Sequence, residues 1–142
     1  MDPKEYDLPH DFLHWEGDAA EDHSGPFFYR LTDDGIETTF RIQPHHCNSG
    51  QTVHGGVLMM FADYSLCVAA IAGTNESCLT LSCNNEFVDK AVAGERILGR
   101  CELIRRTGSL AFVRVQLMVE QRIILTSSGV IKRIQLAKAT SD

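Results

Sequence analysis

Residues 57–72, VLMMFADYSLCVAAIA, constrain this chain more than any other stretch. They are apolar on nearly every face of a helix, and one carboxylate, Asp63, sits among them. The run is too short for a bilayer span, which needs about 20 apolar residues, and a membrane would penalise its charge. It therefore reads as a helix inside a globular protein, wrapped on most sides. Gly55 and Gly56 precede it and Gly73 closes it as a C-cap. A carboxylate buried among apolar groups is costly unless something satisfies it or uses it. Asp63 is thus the point around which the chemistry is organised.

The rest of the chain reads as strands. PFFYRL (26–31) and IETTFRI (36–42) flank Asp33-Asp34-Gly35, a turn signal, and make a hairpin. After the helix, period-two alternation runs through 78–84, 94–104, 110–119 and 123–134, with turns at Thr107-Gly108 and Glu120-Gln121. In the first of these, Leu79, Leu81 and Cys83 alternate with Thr80, Ser82 and Asn84. One long helix and a set of antiparallel strands predict an α+β fold, a curved sheet around a central helix. One sheet leaves other faces of that helix bare, and a second subunit is the simplest cover. Residues 1–25 form an arm expected to pack loosely on the body, with a short helix over 11–16. Residues 26–136 form the domain, and 137–142 a frayed tail.

Length and composition narrow the class. The chain has 142 residues, enough for one domain with a sizeable core. A formal net charge of -6 argues against a protein that grips nucleic-acid phosphates. No basic stretch leads into an apolar one at the N-terminus, so no signal peptide is expected. Five cysteines without a CxxC pair fit reduced thiols in a cytoplasmic protein.

The start of the helix carries the second chemical feature. Free backbone N–H groups and partial positive charge collect at a helix N-terminus. Gly55 and Gly56 let a substrate carbonyl approach that backbone, as an oxyanion site for acyl transfer requires. Asp63 can serve there as general base on water or as nucleophile. From Gly56 to Asp63 is roughly 10 Å along the axis, and groups acting on one carbon must lie within about 3 Å of it. The two must therefore come from different chains, which predicts a site shared across a two-fold dimer.

Other chemistries fit less well. His10 and His14, four apart, read as surface histidines. His45, His46, Cys47 and His54 have the composition of a metal site, but adjacent ligands diverge and no zinc spacing occurs. No GxSxG elbow supports a serine nucleophile. Cys67, one turn beyond Asp63 and flanked by apolar residues, reads as packing.

The run from Asn48 through His54-Gly55-Gly56 to Asp63, with TLSCNNEFVDKA downstream, resembles the hotdog-fold thioesterases of the phenylacetate-pathway (PaaI-like) type. The likeness covers residues 26–134. It implies a hotdog fold and hydrolysis of acyl-CoA thioesters without a cofactor or metal. It implies Asp63 as the catalytic acid, Gly55 as oxyanion donor and Asn48 as an orienting group from the opposite subunit. His54 becomes an organiser of the helix start. The family's strand hydroxyl falls on Thr80, with Ser82 two residues on and facing the same side. Gly56, Phe61 and Tyr64 are then expected along the substrate, and Lys90, Arg105, Arg106, Lys132 and Arg133 are candidates for the CoA phosphates. A homodimer or a homotetramer is implied, with no nucleic-acid or membrane partner. Two rivals remain: a hotdog hydratase or dehydratase, which would pair a histidine with a carboxylate at the reacting carbons, and a non-catalytic acyl-CoA-binding module.

Overall fold

The computed structural model describes residues 1–136. The tail expected at 137–142 lies outside the described residues. In chain order the elements are β1 (Leu13–His14), α1 (Ala19–Ser24), β2 (Phe28–Thr32), β3 (Gly35–Arg41), α2 (Gly55–Ile71), β4 (Glu76–Phe87), β5 (Arg96–Arg106), β6 (Leu110–Val119) and β7 (Arg122–Gln135). All seven strands join one antiparallel sheet in the order β1-β2-β3-β5-β6-β7-β4. This is the expected α+β design, with α2 packed on β3 through β7.

The core forms where α2 meets the sheet. Phe61 is fully buried and touches Phe27 and Phe40, with ring centroids 5.1 and 4.8 Å away. Leu66, Ile97, Leu117, Ile124, Leu125 and Ile131 close the interior around it. Each such side chain contributes about 1.5–3 kcal/mol by leaving water. Phe61 is consequently a core residue, and its expected place along the substrate is corrected.

The arm departs from expectation. Residues 11–16 are not helical. Leu13 and His14 pair with Tyr29 and Phe28 as an edge strand, and Phe12 turns inward to join Leu8 and Phe28 in a second small core. The helix comes later, at α1, where the Asp18 side chain accepts from the Glu21 N–H at 3.0 Å as an N-cap. His14 then bridges Glu16 at 2.8 Å and Asp22 at 2.6 Å. Burial opposes charge on that imidazole, but the two hydrogen bonds and the carboxylate charges outweigh it and raise its pKa. The arm is stitched down, and α1 packs on α2.

The strand beside the helix also differs. Thr80 pairs with Ile131 and Ser82 with Val130, so Leu81 is the extra residue of a β-bulge. The bulge flips the alternation. Thr80 faces α2, while Ser82 points to solvent, as do Leu79 and Leu81. Ser82 therefore does not share the side of Thr80, contrary to expectation. Gly129 lets the bulged strand sit this close: a Cβ there would lie 2.5 Å from the Ser82 carbonyl oxygen and 2.9 Å from Leu66 Cδ1. Backbone on one side and a core leucine on the other cannot both yield. Gly129→Ala is expected to cost about 2–3 kcal/mol, read as a lower urea midpoint at unchanged slope. An unchanged midpoint would mean that this contact is not a constraint.

Candidate active site

Asp63 stands on the side of α2 that faces β4. The bulge turns Thr80 toward it, and the Thr80 hydroxyl donates to Asp63 Oδ1 at 2.6 Å. Asp63 Oδ2 has no hydrogen-bond partner among the described residues. The carboxylate is thus held by one oxygen and open at the other. Cys67 lies beside the pair, its Sγ 3.3 Å from Thr80 Oγ1 and 3.8 Å from Asp63 Oδ1. The neighbouring Cys78 thiol, together with burial, raises the Cys67 pKa, so this thiol stays protonated and is a poor nucleophile.

These groups line a cavity of about 390 Å³. Helix α2 supplies Asp63, Tyr64, Cys67, Val68 and Ile71, strand β4 supplies Cys78, Leu79 and Thr80, and the arm supplies Trp15, Asp18 and Glu21. The wall sets apolar side chains beside convergent polar groups, Asp18, Glu21, Asp63 and Thr80, as small-molecule sites do. Tyr64 lines it, while its hydroxyl is buried without a partner among the described residues and its pKa is raised by that burial. Desolvation, with the neighbouring Asp18 and Asp63 charges, pushes the Glu21 carboxyl up to about 8. A larger hollow of about 660 Å³ lies elsewhere, between strands β4 to β7. Its Arg114 is already paired with Glu102 at 2.7 Å, and its other carboxylate, Glu86, is exposed rather than held by a neighbouring hydroxyl as Asp63 is.

The start of α2 is built separately. His54 caps the helix, its Nδ1 accepting from the Gly56 N–H at 2.8 Å. That bond consumes the Gly56 donor, so Gly56 has no N–H left for a substrate. The Gly55 N–H has no acceptor among the described residues. The ring of Phe87 covers this glycine, 3.2 Å from where a Cβ would stand. Asn48 folds its loop, accepting from the Gly50 N–H at 2.9 Å and the Thr52 N–H at 3.2 Å. None of Asn48, His54, Gly55 and Gly56 lines the Asp63 cavity. Eight helical steps separate Gly55 from Asp63, about 12 Å.

Burial and pairing decide the place of His46 and of the candidate cations. His46 uses both ring nitrogens: Nδ1 accepts from the Gln43 N–H at 2.9 Å, and Nε2 donates to the Gly25 carbonyl at 3.0 Å. It has no lone pair left for a metal. Burial also lowers its pKa, which keeps it neutral. Of the five cations considered for CoA phosphates, Arg106 and Arg133 are taken by Glu76, the latter at 2.9 Å and largely buried. Both are corrected to structural residues. Lys90, Arg105 and Lys132 are exposed and have no carboxylate partner among the described residues.

Trp15, Asp18, Glu21 and Cys78 went unread as site residues. Asp18-Ala-Ala-Glu21 is a helix-start pattern visible in the sequence. It marks the short helix but says nothing of where that helix docks.

The model of the thioesterase superfamily matches residues 50–125. A Pseudomonas aeruginosa protein provisionally named an esterase, PA0474, is 29% identical over 109 residues, covering 75% of this chain and 81% of that protein. PaaI of Escherichia coli, from the phenylacetic acid degradation operon, superposes with a TM-score of 0.75 at 19% identity, over 84% of this chain and 86% of that one. The Haemophilus influenzae thioesterase HI1161 gives a TM-score of 0.75 at 16% identity, over 88% and 89%. At such identities the structural likenesses speak for the fold, which is the hotdog arrangement.

Proposed function

Since the chain belongs to the thioesterase superfamily and is a thioester hydrolase, we propose that it cleaves acyl-CoA thioesters with Asp63 as general base. The observation that carries this reading is the Asp63 carboxylate, fixed by Thr80 at 2.6 Å on the wall of a cavity that joins apolar side chains to a few polar ones. Asp63 Oδ2 takes a proton from water as the water oxygen attacks the thioester carbonyl. The C–O bond forms, and negative charge moves to the carbonyl oxygen. A backbone N–H preorganised at that oxygen stabilises the charge. The intermediate then collapses, the C–S bond breaks, and the thiolate leaves and takes up the proton.

The oxyanion donor in this reading is the Gly55 N–H of a second subunit. Two observations support a shared site. Gly55 and Asp63 of one chain lie too far apart to act on one carbon. Strand β4 is also an unpaired sheet edge that exposes Leu79, Leu81 and Phe87, each more than half exposed, and such an edge invites a partner strand. An antiparallel β4–β4 contact would bring the Gly55 end of one helix toward Asp63 of the other. The same contact covers the apolar edge, so the functional unit is at least a dimer. Asn48 would approach the reacting centre from the same direction as Gly55. Lys90, Arg105 and Lys132 remain as possible anchors for the CoA phosphates. Among the described residues no helix is long and apolar enough to cross a membrane. Five free cysteines favour a reducing compartment such as the cytoplasm.

Thiol release from a panel of aliphatic and aryl-acetyl CoA thioesters tests the reading. Hydrolysis frees CoA, hydration does not, and a binding module does neither. Thr80 supplies a second arm of the test. Thr80→Val removes a hydrogen bond to a charged group and should lower kcat by about 10- to 100-fold, whereas Thr80→Ser keeps the hydroxyl and most of the rate. Equal rates for the two variants would remove Thr80 from the mechanism.

A further inference from the structure

The arm does more than cover the core. It contributes Trp15, Asp18 and Glu21 to the cavity that holds Asp63. Asp18 and Glu21 sit one helical turn apart on α1. That helix is fixed by the Asp18 cap, by the bridge from His14 to Asp22 and by packing on α2. The cavity wall contains three carboxyl groups, from Asp18, Glu21 and Asp63, and no lysine, arginine or histidine.

We propose that the Asp18–Glu21 pair sets the charge selectivity of the acyl site, admitting neutral acyl groups and rejecting those that end in a carboxylate. This rests on the reading of the Asp63 cavity as the acyl site. An acyl chain entering beside Asp63 runs along Trp15, Val68 and Ile71, which suit a hydrocarbon. A terminal carboxylate would lose part of its water there, with like charges as neighbours and no counter-ion among the described lining residues. A buried charge without a partner is strongly disfavoured. The groups that face Glu21 are Asp18 and Asp22 on its own helix and Asp63 and Tyr64 on α2. Desolvation, and then the Asp18 charge, raise the Glu21 carboxyl to about 8. The Asp18 and Asp63 charges that act on Glu21 also repel an anionic acyl end.

Valeryl-CoA and glutaryl-CoA have acyl groups of equal carbon count that differ at the end, methyl against carboxylate. At pH 7 the protein should prefer valeryl-CoA in kcat/KM by on the order of 100-fold or more. Asp18→Asn combined with Glu21→Gln keeps the helix cap and removes the pair's charge, and Glu21→Lys adds a cation. Each variant should shrink the preference by at least about tenfold. A purely structural role for the pair would lower both substrates alike and leave the ratio where it was. An unmoved ratio in both variants, or equal rates on the two thioesters in the unmodified protein, overturns the proposal alone. No thiol release from either thioester overturns the hydrolase reading and this proposal with it.

Discussion

Asp63→Asn is expected to abolish thioester hydrolysis while the fold stands. Asparagine has nearly the same size, and its Oδ1 still accepts the Thr80 hydroxyl, so the bond seen at 2.6 Å survives. The amide removes a charge from a half-buried position, which does not harm stability. What it cannot do is take a proton from water. Loss of a general base costs about 100- to 10,000-fold, and the upper part of that range applies if no other group at the site replaces it. Cys67 is protonated, no histidine is among the described lining residues, and of the other two carboxyls Asp18 is occupied as the cap of α1 while Glu21 is raised to about 8. Thiol release followed beside circular dichroism separates the two effects. A variant that folds and keeps more than about a tenth of the wild-type rate would remove Asp63 from the centre of the mechanism.

Gly55→Pro tests the other half of the site with comparable force. Gly55 is the first helical residue of α2, a position that proline fills readily because its missing N–H has no helical acceptor. The residue before it, His54, has φ -65 and ψ 134, in the region that a following proline requires. The new ring meets the edge of Phe87, 3.2 Å from where a Cβ would stand, so that ring need give by only a few tenths of an ångström. The helix should therefore persist, and the one free donor at its start disappears. Removal of an oxyanion donor lowers kcat by about 100- to 1,000-fold, with a smaller effect on KM. Gly55→Ala, which keeps the N–H, is the control and should retain most activity. If the proline variant is as active as the alanine variant, the helix start is not the oxyanion site.

Much of this was legible in the sequence because the signals were local and periodic. The apolar run at 57–72 and the glycines around it marked α2, observed as Gly55–Ile71. Two-residue periodicity marked the four long strands, and β6 came out as Leu110–Val119. The hairpin of β2 and β3 followed from its Asp-Asp-Gly turn. What stayed hidden depended on contacts distant in sequence. A helix apolar on all faces does not say which face meets the sheet, so Phe61 and Tyr64 looked equivalent, yet one is core and the other lines the cavity. The bulge at Leu81 leaves no mark in the alternation, so Ser82 was put on the wrong side. Phe12 and Trp15 in the arm suggested a helix, but the burial of Phe12 beside Phe28 favours an extended edge strand instead. Arg106 and Arg133 could not be told from free surface cations until Glu76 was found between them. The arm's share in the cavity was the least legible feature, since residues 15–21 reach Asp63 only through the tertiary fold.

The account stands on a site assembled from two subunits, and a mixing experiment addresses that directly. Asp63→Asn and Gly55→Pro chains, each nearly inactive alone, are co-expressed with different tags, and the mixed dimer is purified through both. In a shared site, the Asp63 of the proline chain meets the Gly55 N–H of the asparagine chain, so one of the two sites is intact and the other carries both defects. The mixed dimer should recover about half of the wild-type thiol release per dimer. Recovery to that level is the expected result. A mixed dimer as inactive as its parents would mean that Asp63 and Gly55 act within one chain, or not together at all, and would contradict the account.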